Sequence, residues 1–192
     1  AQANGMAGLT SNVVMFGWPG EDEARLARLV GLVRRMKALE KSSMICRPVK
    51  GSRAKGNKEI VVWWKGKEHN GDMMLLLAHL LSLAPGWRSN QVVLKSVAKD
   101  EAAAVAVQTA YENMLPDLRM DVRLEVIIQP KDQTIREVIR EASKDADLVF
   151  LGMAVAEVGA EAAYAENLMS LLDGLPTTIL VRNASRFHGR LV

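Results

Sequence analysis

The sequence predicts an α/β protein: a doubly wound, parallel five-stranded sheet with helices on both faces, preceded by the tail of a second, similar unit. Three observations carry this expectation. From residue 58 onward, five short apolar runs alternate in strict succession with four stretches of helical spacing. The runs, such as Leu148-Val149-Phe150-Leu151 and Ile179-Leu180-Val181, are apolar throughout, as strands covered on both faces are. The intervening segments are long enough for the crossovers that parallel strands require.

Each element follows from its local pattern. Val13 to Gly17 reads as a buried strand, broken by Trp18-Pro19-Gly20. Glu21 to Leu39 sets Leu26, Leu29, Val30, Val33 and Met36 on one helical face, with Arg25, Arg28, Arg34 and Arg35 largely off it. Its first turn holds Glu21, Asp22 and Glu23, where the helix dipole favours negative charge. Ser42 to Arg47 is a second strand. Pro48 to Asn57 is polar, basic and glycine-containing, and reads as a solvated tether rather than an arm touching acidic lipid or a partner.

The regular alternation begins with a strand from Glu59 to Trp64. A helix from Gly71 to Leu83 follows, ended by Pro85-Gly86, and then a strand from Gln91 to Val97. Asp100 is expected to cap a helix running to Met114, followed by a strand from Asp121 to Ile128. Asp132 is expected to cap the helix ending at Ser143. A strand from Asp147 to Gly152, a helix from Glu161 to Leu172 closed by Gly174, and a strand from Thr177 to Arg182 complete the chain.

Three regions result: residues 1–47, a basic linker at 48–57, and a complete unit at 58–192. One strand, one helix and one strand cannot bury both faces of a sheet alone. Residues 1–47 are therefore expected to be the C-terminal part of a first α/β subdomain that begins upstream, with Ala1 to Ala7 closing a preceding helix.

Composition excludes several classes. With 49% hydrophobic and 24% charged residues, the 192-residue chain is neither disordered nor fibrous. The net charge is only +3. Much of the excess sits at Arg47, Lys50, Arg53, Lys55 and Lys58 and in Arg186 and Arg190, not on the broad basic face of a nucleic-acid binder. The lone cysteine, Cys46, has no partner for a disulfide, which suits a reducing compartment, and its apolar neighbours suit a small buried hydrophobe. The longest apolar run, Met73 to Ala84, is too short to span a bilayer. Ala1 to Asn12 lacks the charged and apolar regions of a signal peptide.

Catalytic and ligand motifs are absent. His69, His79 and His188 do not share metal-ligand spacing. No serine sits in a nucleophile elbow, and the carboxylates fall at caps and on helix faces, with Asp145 and Asp147 explained by a turn. No Walker sequence occurs. After Gly152, the next glycine is Gly159, too distant for a tight phosphate cradle, and Glu157 lies between them. Gly17-Trp18-Pro19-Gly20, with Gly31 downstream, comes closer, but a plain strand-to-helix turn explains it better. Trp63 and Trp64 should face opposite sides of the sheet and serve core packing instead of one stacking platform. No catalytic, cofactor-binding or metal-binding residue is assigned, no cofactor and no nucleic acid is expected, and no small-molecule ligand is specified. Met73 to Leu81 is apolar nearly all round, which points either to deep burial or to a covering second subunit, hence a homodimer.

The order of features resembles the cytosolic C-terminal domain of the cation-chloride cotransporters. Ile60-Val61-Val62-Trp63-Trp64, the turn Glu68-His69-Asn70-Gly71-Asp72 and the helix Leu75-Leu76-Leu77-Ala78-His79-Leu80-Leu81 resemble one segment of that family. Asp145-Ala146-Asp147-Leu148-Val149-Phe150-Leu151 resembles its penultimate strand. Met169-Ser170-Leu171-Leu172 and Leu175-Pro176-Thr177-Thr178-Ile179-Leu180-Val181-Arg182-Asn183 resemble its closing helix and strand. Ala1-Gln2-Ala3-Asn4-Gly5 with Asn12-Val13-Val14-Met15-Phe16-Gly17 is similar to the end of the first half of the region. The matches are collinear over nearly the whole chain.

Departures are Asn70-Gly71 where many relatives have two glycines, Asn183 in place of a glycine, and a connection at Pro48 to Asn57 shorter than in animal relatives. They indicate a prokaryotic-type member. The resemblance implies two units similar to universal stress proteins, a homodimer, a membrane domain in the same chain, and a regulatory, non-catalytic role on the cytoplasmic side of the cell membrane. Coupled movement of Na+ and/or K+ with Cl− would belong to membrane helices outside this sequence. The alternative is a nucleotide-binding module of the universal stress protein type. That family has an aspartate ending its first strand and a glycine run after its fourth. Trp64-Lys65 stands in the first place, and the glycine run is missing. An enzyme of the doubly wound class finds no catalytic constellation.

Overall fold

Apolar runs and local caps set twelve elements in the computed structural model, which describes residues 12–51, 58–65, 70–114 and 120–184. Strand β1 is Val13–Gly17, helix α1 is Glu23–Ala38 and strand β2 is Ser42–Arg47. Strand β3 is Glu59–Trp63, helix α2 is Asn70–Ser82 and strand β4 is Gln91–Ala98. Then come helix α3 (Glu101–Met114), strand β5 (Val122–Ile128), helix α4 (Ile135–Ser143), strand β6 (Leu148–Gly152), helix α5 (Glu161–Leu172) and strand β7 (Thr178–Arg182). The expectation for Ala1 to Ala7 lies outside the described residues.

Caps place the helix starts. Asp22 accepts the Arg25 backbone N–H at 2.9 Å, and Asp100 accepts that of Ala103 at 2.8 Å. The cap expected at Asp132 is instead Thr134. Its hydroxyl accepts the Glu137 N–H at 3.3 Å, while the Glu137 carboxylate accepts the Thr134 N–H at 2.7 Å. This reciprocal pair satisfies two otherwise orphaned donors. Asp132 lies two residues earlier in an exposed turn.

All seven strands join one sheet in the order β1-β2-β7-β6-β3-β4-β5. Within β7-β6-β3-β4-β5 every pair is parallel, giving the expected doubly wound unit. The chain winds outward through β4 and β5, then crosses back to place β6 on the other side of β3. Strands β1 and β2 extend this sheet: they are parallel to each other, and β2 lies antiparallel against β7.

Side chains alternate between two cores, as the two-residue period of a strand requires. On one face Ile45, Val61, Trp63, Val93, Val149, Leu151 and Leu180 pack with Leu26, Leu29, Val30 and Val33 of α1 and Ala165, Leu168 and Leu172 of α5. On the other, Met44, Ile60, Val62, Leu94, Phe150 and Val181 pack with Met73, Met74, Leu75 and Ala78 of α2 and Tyr111 of α3. The apolar helix α2 is thus deeply engaged, yet Leu80 near its end is 54% exposed and Leu83, just past it, 55%. Strand β1 is half-covered: its outward Met15 is 63% exposed.

A local two-fold relation links β1-α1-β2 to β6-α5-β7. Both first strands end in glycine (Gly17, Gly152) and both last strands in arginine (Arg47, Arg182), at the same separation in each case. The antiparallel register is symmetric: Ser43 faces Arg182, Arg47 faces Thr178, and Ile45 faces Leu180 at the centre. Helices α1 and α5 pack together beneath this joint, where Arg34 pairs with Glu161. Gly31, which is mid-helix in α1, faces α5, and a Cβ there would lie 3.9 Å from Glu161 Cγ. The connection after β2 starts tied to the sheet: the Val49 N–H donates to Thr177 Oγ1 at 3.0 Å. The rest of it, from residue 52 to 57, lies outside the described residues.

Candidate ligand-binding cavity

Doubly wound sheets bind ligands outside the carboxyl ends of their strands, where the winding direction reverses. Here that point lies between β3 and β6. A cavity of about 550 Å³ opens there, within the roughly 300–1,000 Å³ range of small-molecule sites.

Strand β3 ends in Trp63, and the Trp64 N–H still bonds the Lys95 carbonyl at 3.0 Å. The two indoles go to opposite faces, as the strand period requires. Trp63 Nε1 donates to Ser143 Oγ at 2.9 Å on the α4 side. Trp64 packs against Tyr111 on the α3 side, with ring centroids 5.4 Å apart, and its carbonyl accepts the Tyr111 hydroxyl at 3.1 Å. Burial pushes the Tyr111 phenol above its ordinary value, partly offset by a hydrogen bond with Ser96. The Trp64 Nε1 donor is buried and has no acceptor among the described residues. Although the rings form no common platform, both border the cavity.

Gly71, at the start of α2, admits the Trp64 ring. A Cβ there would sit 2.1 Å from Trp64 Cε2. Beside it, buried Asn70 ties the wall together. Its Nδ2 donates to the Met153 carbonyl at 3.2 Å, and its Oδ1 accepts the Asn183 N–H at 2.8 Å. Asn183 Oδ1 in turn accepts Ser42 Oγ at 3.3 Å, and Ser42 Oγ accepts the Ala184 N–H at 3.1 Å. A buried polar chain therefore runs from the cavity wall through the end of β7 to β2. Asn70 and Asn183, the two departures from the glycine pattern, are both members of it.

The remaining lining is mostly apolar, with Met74 from α2, Val97 from β4, Val107 from α3, Ile135 and Ile139 from α4, Leu151 from β6 and Leu171 from α5, and with Ser96 of β4 as its polar member. Lys65, exposed at the rim, is the one charged residue among the described lining. That lining includes no carboxylate, histidine or cysteine, so it offers no general acid-base pair and no nucleophile with a base. Elsewhere, His79 lies in α2, and Cys46 lies in β2 with its thiol pushed above the ordinary value by burial. His69 and His188 lie outside the described residues. Among the described residues no cluster of three or more histidines, cysteines or carboxylates forms a metal site. A smaller cavity of about 390 Å³ lies at the opposite end of the sheet, beside His79, Arg88, Asn90 and Asp121.

Sequence reasoning did not single out Lys65, Ser96, Val107, Ile135, Ile139 or Leu171 as neighbours. They come from five separate segments, and only the crossover from β5 to β6 brings Ile135 and Ile139 of α4 beside the end of β3.

No family model matches the sequence, and no curated protein matches it. The structure does have close shapes among solved proteins. One is the cytoplasmic domain of a prokaryotic cation chloride cotransporter, with a TM-score of 0.69 and 13% identity over 92% of this chain. Another is a universal stress protein from Archaeoglobus fulgidus DSM 4304, with a TM-score of 0.60 and 12% identity over 91% of this chain. This chain spans 65% of the length of the first and 62% of the second. The expected α/β doubly wound fold is thus shared with both, and the fold is what these likenesses establish.

Proposed function

We propose that this chain is the non-catalytic, cytosolic regulatory and dimerisation domain of a cation-chloride cotransporter. It would sit on the cytoplasmic side of the membrane against membrane helices of the same protein, which would move Na+ and/or K+ together with Cl−. Among the described residues no helix is long and apolar enough to cross a membrane. One observation carries the reading. The likeness to a cotransporter cytoplasmic domain has a TM-score of 0.69 over 92% of the chain, against 0.60 over 91% for the universal stress protein. It coincides with the collinear motifs from Asn12 to Asn183.

Residues 1–47 are read as the end of a first subdomain. The local two-fold supports this. Strand β6 carries β3 on its outer edge, whereas the equivalent edge of β1 carries no strand among the described residues. The other sheet edge, β5, bears Arg123 and Glu125, charges that discourage strand addition. The β1 sequence, Val-Val-Met-Phe-Gly, has none.

A nucleotide-binding module of the universal stress protein type is the second reading, favoured by the cavity's position at the switch point. The test is the hydropathy of the parent reading frame upstream of Ala1. Roughly ten or more apolar spans of about 20 residues each support the transporter domain. A start codon close upstream with no such spans overturns it, and ATP binding by calorimetry would then establish the second reading.

A further inference from the structure

We infer that the cavity above β3, β4 and β6 binds a flat, largely apolar small molecule carrying a single acidic group, and that it does not accept nucleoside polyphosphates. This goes beyond the transporter reading and does not depend on it.

Shape and lining define the ligand. The volume of about 550 Å³ suits a molecule of two or three fused or linked rings. The walls are aliphatic and aromatic: Met74 and Leu151 are almost fully buried, and Trp63 is 7% exposed. Apolar walls of this kind give affinity through burial, while a few polar groups fix orientation. Ile135, 49% exposed at the mouth, offers apolar surface that a bound ring would cover.

Charge sets the limit. Lys65 supplies one positive group at the rim. One acidic group is matched by Lys65, whereas a polyphosphate finds no second cation among the described lining residues. Neither is there a carboxylate in the described lining to take ribose hydroxyls, the usual partner in nucleotide-binding crevices. The glycines present do other work: Gly71 seats Trp64, and a Cβ at Gly152 would meet Asn70 Nδ2 at 3.2 Å. Neither forms a run of free N–H groups.

Anilinonaphthalene sulfonate, a flat aromatic with one negative charge, is the probe. The 192-residue chain, labelled with nitrogen-15, would be titrated while the indole N–H signals of its four tryptophans are followed. Saturable shifts are expected at Trp63 and Trp64, with Trp18 and Trp87 unmoved. Lys65→Gln, at an exposed site, should weaken binding roughly two- to five-fold. Val107→Phe, which fills the cavity, should abolish it, and Ile139→Phe provides the same test should the first variant misfold. Shifts spread over all four indoles, or binding unchanged in a folded filling variant, would overturn the inference. So would displacement of the probe by ATP with its own shifts at Trp63 and Trp64. The upstream reading frame decides the transporter reading separately.

Discussion

Ile45 lies directly opposite Leu180 at the centre of the antiparallel joint between β2 and β7, and both side chains are fully buried. They occupy equivalent places in β1-α1-β2 and β6-α5-β7, so the joint is a self-complementary contact made within one chain. Ile45→Ala and Leu180→Ala should each lower stability by about 2–5 kcal/mol, the usual cost of a large-to-small core change. Because the two residues touch one environment, the double variant should cost less than the sum. Urea unfolding measures all three. A negligible effect of Ile45→Ala would mean that the N-terminal strands are only loosely attached.

Gly71→Ala should destabilise through a direct clash. The added methyl falls within the Trp64 ring, and overpacking of this kind costs about 1–3 kcal/mol. In a Trp64→Ala background the same change should be close to neutral. Equal costs in both backgrounds, read from thermal melts, would show that the glycine matters for some other reason.

Acid should loosen two specific places. The Glu161 carboxyl is held below the ordinary carboxylate range, chiefly by the Arg34 guanidinium, with help from the Gly159 N–H at 2.7 Å. Glu137 is lowered in the same direction by the N–H and hydroxyl of Thr134, and further by Arg140. A depressed folded-state value means that the stabilisation is fully present above the unfolded-state value, about pH 4.3. It is lost as pH falls through the lower folded-state value. Glu161→Gln and Glu137→Gln should therefore flatten the acid limb of stability and leave its shape above about pH 6 unchanged. An acid limb identical to that of the parent chain would remove both groups from the account.

Association should run through α2. Leu80, near the end of α2, and Leu83, just past it, stand more than half exposed beside a helix whose inner face is buried. If this face meets a second copy, sedimentation should give the mass of two chains, and Leu80→Glu with Leu83→Glu should return it to one. Met15→Lys, on the uncovered face of β1, should suppress slower, open-ended aggregation and leave the dimer in place. A single-chain mass at high concentration would remove the dimer.

Much of the fold was legible because its signals are local. Helix α5 was bounded correctly at Glu161 and Leu172, with Gly174 just past its end marking the stop. The opposite orientations of Trp63 and Trp64 followed from the two-residue period alone. Thr134 and Glu137 carried a capping-box spacing in plain view, but Asp132 competed as a cap, and only the backbone geometry separated them. Pairing direction was not legible. Nothing in Ser43 to Arg47 states that it will run antiparallel to Thr178 to Arg182, since both are apolar strands of the same kind. The cavity was hidden for a related reason. Val107, Ile139 and Leu171 lie on three different helices, and nothing in their local spacing announces that the crossovers bring them together.

The joint also sets a timetable for synthesis. Strand β2 leaves the ribosome long before β7, its antiparallel neighbour, has been made. At about 5–20 residues per second, β2 waits on the order of ten seconds with one apolar edge open. The five-stranded unit cannot help during that interval, because β7 is also its own last strand. The nascent domain therefore spends most of its manufacture as two unfinished pieces, and one late strand closes both together. Loss of β7 itself would therefore split the sheet between β2 and β6 instead of trimming its edge.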